Sequence, residues 1–106
     1  MFNILSIFSY KRYAYRSNQW NNVRDDFLKK NNKCSACGTS KSLEVHHIIP
    51  VHINPELELL EENLITLCNK KCHLLFGHLM NYKSWNTNVI SDCCDIISKI
   101  KNRPSK

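Results

Sequence analysis

Two cysteine pairs bracket a histidine doublet in this chain, and this arrangement constrains the fold more than any other feature. Cys34 and Cys37 are separated by two residues, whereas Cys68 and Cys72 are separated by three. Two thiolates at such spacings can grip one tetrahedral ion, and Gly38 permits the turn that aims the first pair. We therefore predict a structural Zn²⁺ site formed by Cys34, Cys37, Cys68 and Cys72.

Disulfides are the alternative use of six cysteines in a short chain. The start, MFNILSIFSYKR, has no basic residue ahead of its apolar run and no clear small-residue cleavage site. The run is also too short to span a bilayer. We therefore prefer metal ligation in a reducing, cytoplasmic setting without a membrane segment. Cys93 and Cys94 lie apart from the pairs, and we predict that they are buried or partly buried free thiols.

The chain has 106 residues and a formal charge of +6, which fits one small domain with a polyanionic partner. Residues 11–33 carry seven basic and two acidic residues, and the tail from Lys99 carries four basic residues and no acid. Residues 44–62 instead carry five glutamates and no Lys or Arg. We therefore expect the flanks to face phosphates and the acidic stretch to be solvated.

Hydrophobic periodicity and turn residues predict a mixed α+β chain. We predict helices over residues 18–32, 71–82 and 89–101, a strand over 43–49, and a short strand or turn over 63–67. His46 and His47 are adjacent on the first strand, whose successive side chains point to opposite faces. Either one histidine ligates a metal while the other faces a substrate, or a bend near Pro50 brings both to one cleft.

The order and spacing of CxxCG, LEVHHIIP, ENLITLC and CH between Cys34 and His73 resemble those of HNH endonucleases. The flanks RSNQWNNVRDDFL (residues 16–28) and FGHLMNYKSWNTNV (residues 76–89) resemble phage and bacterial members. The resemblance implies a small ββα-metal (His-Me finger) core with a zinc knuckle and flanking N- and C-terminal helices. It also implies one nuclease domain over residues 16–104, with its core at 34–82, after an extension of residues 1–15.

The resemblance assigns roles residue by residue. His47 matches the general base that activates water, and Asn63 matches the asparagine that braces the loop holding the base. His46, where most members have aspartate, and His73 match the ligands of a catalytic divalent ion. The four paired cysteines match the zinc ligands. On the basic segments we add candidate DNA contacts: Arg16, Arg24, Lys70 and Lys71.

Two departures from the family pattern affect the expected cofactors. A His46/His73 site should favour Mn²⁺, Co²⁺, Ni²⁺ or Zn²⁺, with a weaker response to Mg²⁺, because histidine is a softer, neutral ligand. The second cysteine pair is one residue longer than the commoner CxxC, which tetrahedral zinc tolerates. The roles of His52 and His78 stay open, and for His78 we favour packing or a polar surface position.

The sequence thus predicts a metal-dependent endonuclease that nicks or cuts DNA. The alternative is a zinc-stapled DNA-binding module without catalysis, which would need only the four cysteines and the basic flanks. The resemblance also suggests a phage setting, with proteins of genome packaging or of other nuclease complexes among the candidate partners.

Overall fold

The computed structural model describes residues 16–105, so the predicted extension of residues 1–15 lies outside the described part. Its helices and strands are α1 (Trp20–Lys30), β1 (Leu43–His47), β2 (Leu64–Cys68) and α2 (Val89–Lys101). A π-helical segment, His73–Gly77, follows β2. This is the small α+β architecture that the sequence predicted. Within residues 16–105, no helix is both long and apolar enough to cross a membrane.

The two strands pair antiparallel, with Leu43 opposite Cys68 and His47 opposite Leu64. All five residues of β2 are buried, which explains its continuous apolar run. The pairing places Cys68 and His47 at opposite ends of the ladder, separated by four residue steps or about 14 Å. The small sheet therefore holds the cysteine pairs at one end and the histidine doublet at the other.

Two apolar clusters lie on either side of this sheet. One contains Ile65 and Leu67 of β2, with Val89 and Cys93 of α2 and three of the paired cysteines. The other packs Leu64 against Trp20 and Phe27 of α1. Because β2 contributes to both clusters, α1 and α2 are fixed relative to the same strand.

The bounds of four predicted elements are wrong. One is β2, which is shifted by one residue, from the predicted 63–67 to Leu64–Cys68. Helix α1 is shorter at each end than predicted, and β1 ends at His47 instead of residue 49. After His47, the backbone N–H groups of Ile48 and Ile49 donate to Asn63 rather than to a continuing ladder. The predicted helix over residues 71–82 is a five-residue π-helical segment, because Leu79 and Met80 adopt positive φ and stop it.

Candidate active site and metal centres

The first candidate centre is the cysteine cluster. One sulfur each from Cys34, Cys37, Cys68 and Cys72 lies within 4.8 Å of the other three. The Sγ atoms of Cys37 and Cys68 are 3.9 Å apart. Sulfurs of a tetrahedral site with Zn–S bonds of about 2.3 Å would lie about 3.8 Å apart, so the donor set fits Zn²⁺. All six cysteines are free thiols, which supports metal ligation over disulfides.

Local backbone geometry aims these sulfurs. Gly38 has φ +82°, and its N–H donates to the Cys34 carbonyl at 2.9 Å, closing the knuckle turn as predicted. Burial opposes ionisation of Cys68, yet backbone N–H groups of Cys72 and Lys71 lower its pKa to about 7. Burial and the neighbouring Cys68 thiol raise the pKa of Cys72. Three of the four cysteines are buried. An ion bound by them would therefore link chain segments within the hydrophobic core.

The cysteines outside the pairs differ from each other. Cys93 is buried in the core, and burial raises its pKa to about 12. Cys94 is exposed, so the prediction of a buried or partly buried thiol is wrong for this residue. It lies on the solvent side of α2, one residue around the helix from Cys93.

The second candidate centre is a cluster of three histidines, His46, His73 and His78. His73 Nε2 lies 3.0 Å from His46 Nδ1 and 3.3 Å from His78 Nε2. His73 donates its Nδ1–H to Glu44 at 2.9 Å, and His78 donates its Nδ1–H to the Ser84 carbonyl at 2.7 Å. The Nε2 lone pairs of His73 and His78 therefore face each other, and a cation between them would remove the repulsion.

The burial of His46 gives a further test of fit for an ion. The Nε2 atom of His46 is buried and has no hydrogen-bond partner, unlike the other buried side-chain nitrogen and oxygen atoms of the described residues. Burial, and then the neighbouring rings of His73 and His78, lower the pKa of His46 to about 3. Burial also lowers the pKa of His73, although Glu44 opposes it. Neutral, incompletely satisfied imidazoles are the form in which histidine binds a divalent ion.

His78 corrects the favoured interpretation of packing or polar surface, because it joins the other two histidines. Residues five apart do not share a face of an α-helix, so the spacing from His73 to His78 gives no α-helical signal. The chain between them is wound as a π-helix, whose hydrogen bonds span five residues. The signal in the sequence is therefore a pair of histidines five residues apart, directly after one of the paired cysteines.

His47 lies beside the cluster but is held separately. Its Nε2–H donates to the Glu58 carbonyl at 2.9 Å, which leaves Nδ1 as the acceptor nitrogen. Burial lowers the pKa of His47, and the bond to Glu58 opposes that shift. Glu58 itself is buried, and its carboxylate accepts the Ser17 N–H at 2.8 Å. The prediction that the whole acidic stretch is solvated is therefore wrong for Glu58.

Asn63 braces the loop that carries Glu58. Its Oδ1 accepts the Ile49 N–H at 2.8 Å, and its Nδ2 donates to the carbonyls of Ile49 and Leu57 at 3.0 and 3.3 Å. The side chain thus ties the end of β1 to the loop one residue before Glu58. The bracing role in catalysis that the resemblance implied for Asn63 stays a prediction.

Helix α1 supplies an aromatic contact to His47. The ring centroids of Trp20 and His47 are 4.5 Å apart, with a tilt of 34° between the rings. The Arg16 guanidinium lies 5.8 Å from the Trp20 ring centre. The sequence predicts for Trp20 only a place on an apolar helix face, because a contact between residues 20 and 47 has no local signal.

A cleft of about 630 Å³ joins these groups. It is lined by the histidines His46, His47, His52, His73 and His78, by Arg16 and Lys83, and by Val45, Pro50, Val51, Tyr82, Ser84 and Trp85. Both members of the doublet reach one cleft, because His47 is the last residue of its strand.

The predicted DNA contacts divide between the cleft and other surfaces. Arg16 lines the cleft, and Lys70 and Lys71 are exposed but do not line it. Arg24 pairs with its neighbour Asp25 at 3.1 Å. The structure therefore joins only Arg16 of this set to the catalytic candidates, and adds Lys83, which sequence analysis did not single out.

Residues 34–77 match the family model described as HNH endonuclease. The matched stretch contains both cysteine pairs, the histidine doublet, Asn63 and His73, whereas α1 and His78 lie outside it. No curated protein and no solved structure gives a significant match. HNH domains are generally nucleases, which supports nucleic-acid-related activity of the hydrolase kind. Residues 34–77 of this chain therefore match the HNH endonuclease family model, the family that the sequence motifs resemble.

Proposed function

We propose that this protein is a metal-dependent endonuclease that hydrolyses phosphodiester bonds of DNA, by nicking or by cutting both strands. The main support for this proposal is that one cleft contains both a cluster of three histidines that could bind a metal ion and a fourth histidine, His47, outside that cluster. His46, His73 and His78 converge as a ligand set, while His47 is held beside them by Glu58 with a free acceptor nitrogen. A structural zinc site requires none of these four histidines.

His47 would act as the general base. Because its Nε2–H is engaged by Glu58, Nδ1 carries the lone pair that accepts a proton from a water molecule. The water oxygen then bonds to phosphorus as the bond to the leaving oxygen breaks. Burial keeps the pKa of His47 below its ordinary value, so the ring is neutral and able to accept a proton at pH 7.

The three clustered histidines would hold the catalytic divalent ion, and the four paired cysteines would hold Zn²⁺. A divalent ion in the histidine site supplies charge neutralisation at the phosphate and at the leaving oxygen. Glu44 and the Ser84 carbonyl fix the tautomers of His73 and His78. Three neutral nitrogen ligands favour Mn²⁺, Co²⁺, Ni²⁺ or Zn²⁺ over Mg²⁺.

DNA is supported as the substrate by charge and by the family. Arg16 and Lys83 line the cleft, and the chain carries a formal charge of +6. A phosphodiester backbone is the polyanion that such a surface attracts. A phage role such as genome packaging belongs to the same proposal and rests on the resemblance of the flanks alone.

Cleavage of supercoiled plasmid tests the function. Metal-stripped protein is assayed with no ion, Mg²⁺, Mn²⁺ or Ni²⁺, beside His47→Ala, and zinc is counted in each sample. We expect cleavage that needs an added ion and falls by at least about 100-fold in His47→Ala, the typical effect of losing a general base.

The outcome also separates the alternatives. A His47→Ala protein that nicks at the parent rate would remove His47 from the mechanism. Retained zinc and DNA binding without cleavage in any ion would leave a zinc-stapled DNA-binding module. His46→Asp serves as the matched ligand variant, and we expect it to shift the ion preference toward Mg²⁺ because a carboxylate is a harder ligand.

A further inference from the structure

Four exposed apolar side chains lie on the segment that contributes His73, His78 and Tyr82 to the candidate catalytic cleft. Leu75, Leu79, Met80 and Tyr82 are 45%, 55%, 64% and 64% exposed, respectively. Single exposed apolar side chains are common on proteins, but four within eight residues form a cluster that needs a partner. Neither the metal centres nor the proposed base uses Leu79 or Met80.

The backbone presents two of these side chains at a cost. Leu79 and Met80 both have positive φ, 54° and 70°. Left-handed backbone is unfavourable for residues with a Cβ atom and clusters at functional sites when surrounding structure enforces it. Two successive left-handed residues with exposed leucine and methionine side chains make this turn a candidate functional element.

Hydrogen bonds tie this turn to the histidine cluster. The Met80 N–H donates to the Leu74 carbonyl at 2.9 Å, and the Asn81 N–H donates to the His78 carbonyl at 3.1 Å. The Ser84 hydroxyl also donates to the His78 carbonyl, while the Ser84 carbonyl accepts from the His78 ring. The backbone that carries Leu79 and Met80 is therefore tied to that of His78, a candidate ligand of the metal centre.

The charge around the turn fits a nucleic acid better than a protein of mixed charge. Residues 63–91 contain Lys70, Lys71 and Lys83 and no Asp or Glu. All three lysines are exposed, and Lys83 lines the cleft. The Glu44 carboxylate, which is engaged by His73, is an acidic group that the structure places beside this segment. An apolar turn next to exposed lysines suits a polyanion with apolar base faces.

We propose that Leu79 and Met80 form a wedge that enters the minor groove of duplex DNA and unstacks a base step near the scissile phosphate. Proteins that insert leucine or methionine between base steps kink the duplex and expose more of it to their surface. This inference rests on the proposed function, because the wedge and the cleft would hold the same DNA.

The chain geometry sets where the wedge acts. The Cα atoms of Leu79 and Met80 lie one and two links from that of His78, at most about 8 Å away. Successive nucleotides of a strand are about 3.4 Å apart along the helix axis. Side chains that reach about 5 Å beyond each Cα atom extend this span to about 18 Å. A phosphate at the histidine cluster would therefore place the disrupted step within about five base steps of the cut.

Fluorescence of 2-aminopurine tests the wedge, because this base brightens when it is unstacked. The base is placed at a central, flexible pyrimidine–purine step of a short duplex, which is bound with Mn²⁺ by protein carrying His47→Ala. The test variant adds Leu79→Asn and Met80→Asn, since asparagine tolerates positive φ and removes the apolar surface. Ile90→Asn is the matched control, because Ile90 is 53% exposed on α2 and does not line the cleft.

We expect the fluorescence to rise with the His47→Ala protein and the Ile90→Asn control, and to stay at the free-duplex level with the double asparagine variant. In a His47 background, the double variant should cleave duplex about tenfold more slowly, the scale of one lost stacking contact. A mismatch placed at the opened step should restore most of that rate. Zinc content and unfolding temperature confirm that each variant is folded.

Other results would overturn the wedge. One is DNA binding without a rise in fluorescence, and another is a rise in fluorescence that persists in the double asparagine variant. A double asparagine variant that cleaves at the parent rate would also overturn the wedge, and would assign the exposed apolar side chains to a protein partner. No binding to the duplex would also overturn it. Because fluorescence needs only binding, a rise without plasmid cleavage would refute the proposed nuclease and retain the wedge.

Discussion

The absence of a side chain at Gly77 allows the His46 ring to lie against the π-helical segment. A Cβ atom at this position would stand 3.0 to 3.1 Å from three atoms of the ring. Its φ is not in the left-handed region, so the backbone itself would accept alanine. Glycine is therefore needed at position 77 because the His46 ring occupies the space of a side chain, and not because of the backbone conformation.

We predict that Gly77→Ala impairs the histidine site without unfolding the protein. The added methyl group must push His46 by a few tenths of an ångström, and misplaced ligands weaken a metal site. We expect about 10- to 100-fold weaker binding of the activating ion, a range known for disturbed ligand support. Ion titration of cleavage, with zinc counting, makes the measurement.

Leu75→Ala is the control, since it changes an exposed side chain of the same segment away from His46. Parent-like ion binding in Gly77→Ala would contradict the placement of His46 in the site.

Trp20 is the second residue whose role depends on a contact across the fold. Its indole packs against the His47 ring, so Trp20→Ala should free that ring to turn. We predict about a tenfold lower kcat with little change in KM, because misorientation of the base affects the chemical step. Trp20→Phe, which keeps an aromatic surface, should recover most of the activity.

Phe27→Ala provides the stability control for Trp20→Ala. Phe27 is equally buried in the same cluster but forms no ring contact with His47. Each substitution should cost about 3–5 kcal/mol of stability. A kcat that falls equally in both variants, measured where both are folded, would show that Trp20 acts only through packing.

At the scale of elements, the turn after the π-helical segment stores strain. Met80→Gly should leave stability unchanged or raise it, because relief from positive φ, about 1 kcal/mol, offsets the added freedom of the unfolded chain. Leu75→Gly lies in the π-helical segment without positive φ, so it should destabilise by about 1 kcal/mol. Denaturant unfolding of the two variants compares these effects, and a larger loss in Met80→Gly would argue against the strained turn.

At the scale of the whole molecule, the two candidate centres differ in what they support. Three of the four cysteines are buried in the core cluster, whereas the three histidines line an open cleft. We therefore expect metal binding at the cysteines to be coupled to folding, and ion binding at the histidines to be coupled mainly to the proposed activity.

We predict that mild chelation at neutral pH abolishes cleavage while one zinc ion per chain and the unfolding temperature are retained. We propose, in addition, that residues 16–104 form a single domain, since β2 belongs to both apolar clusters. Zinc release and loss of helix should then coincide in one thermal transition. Two separated transitions would contradict the single domain, and zinc lost together with activity would contradict the division of roles.

The sequence by itself determined the parts of this protein whose signals are local. The cysteine spacings and Gly38 specify a knuckle turn, and the periodicity of residues 89–101 specifies α2 with its observed bounds. The ordered motifs between Cys34 and His73 predicted the family whose model residues 34–77 match. Each of these features depends on residues close in the chain or on a fixed order of residue types.

Only the tertiary structure decided how the histidines divide into a candidate metal-binding cluster and a separately held His47, the proposed base. His78 joins the cluster because the segment is wound as a π-helix, and Trp20 reaches His47 because α1 packs on β2. Glu58 is buried within an acidic stretch because its carboxylate accepts a backbone N–H from a residue 41 positions away. These contacts have no local signal, since packing between distant segments sets helix winding, side-chain burial and ring orientation together.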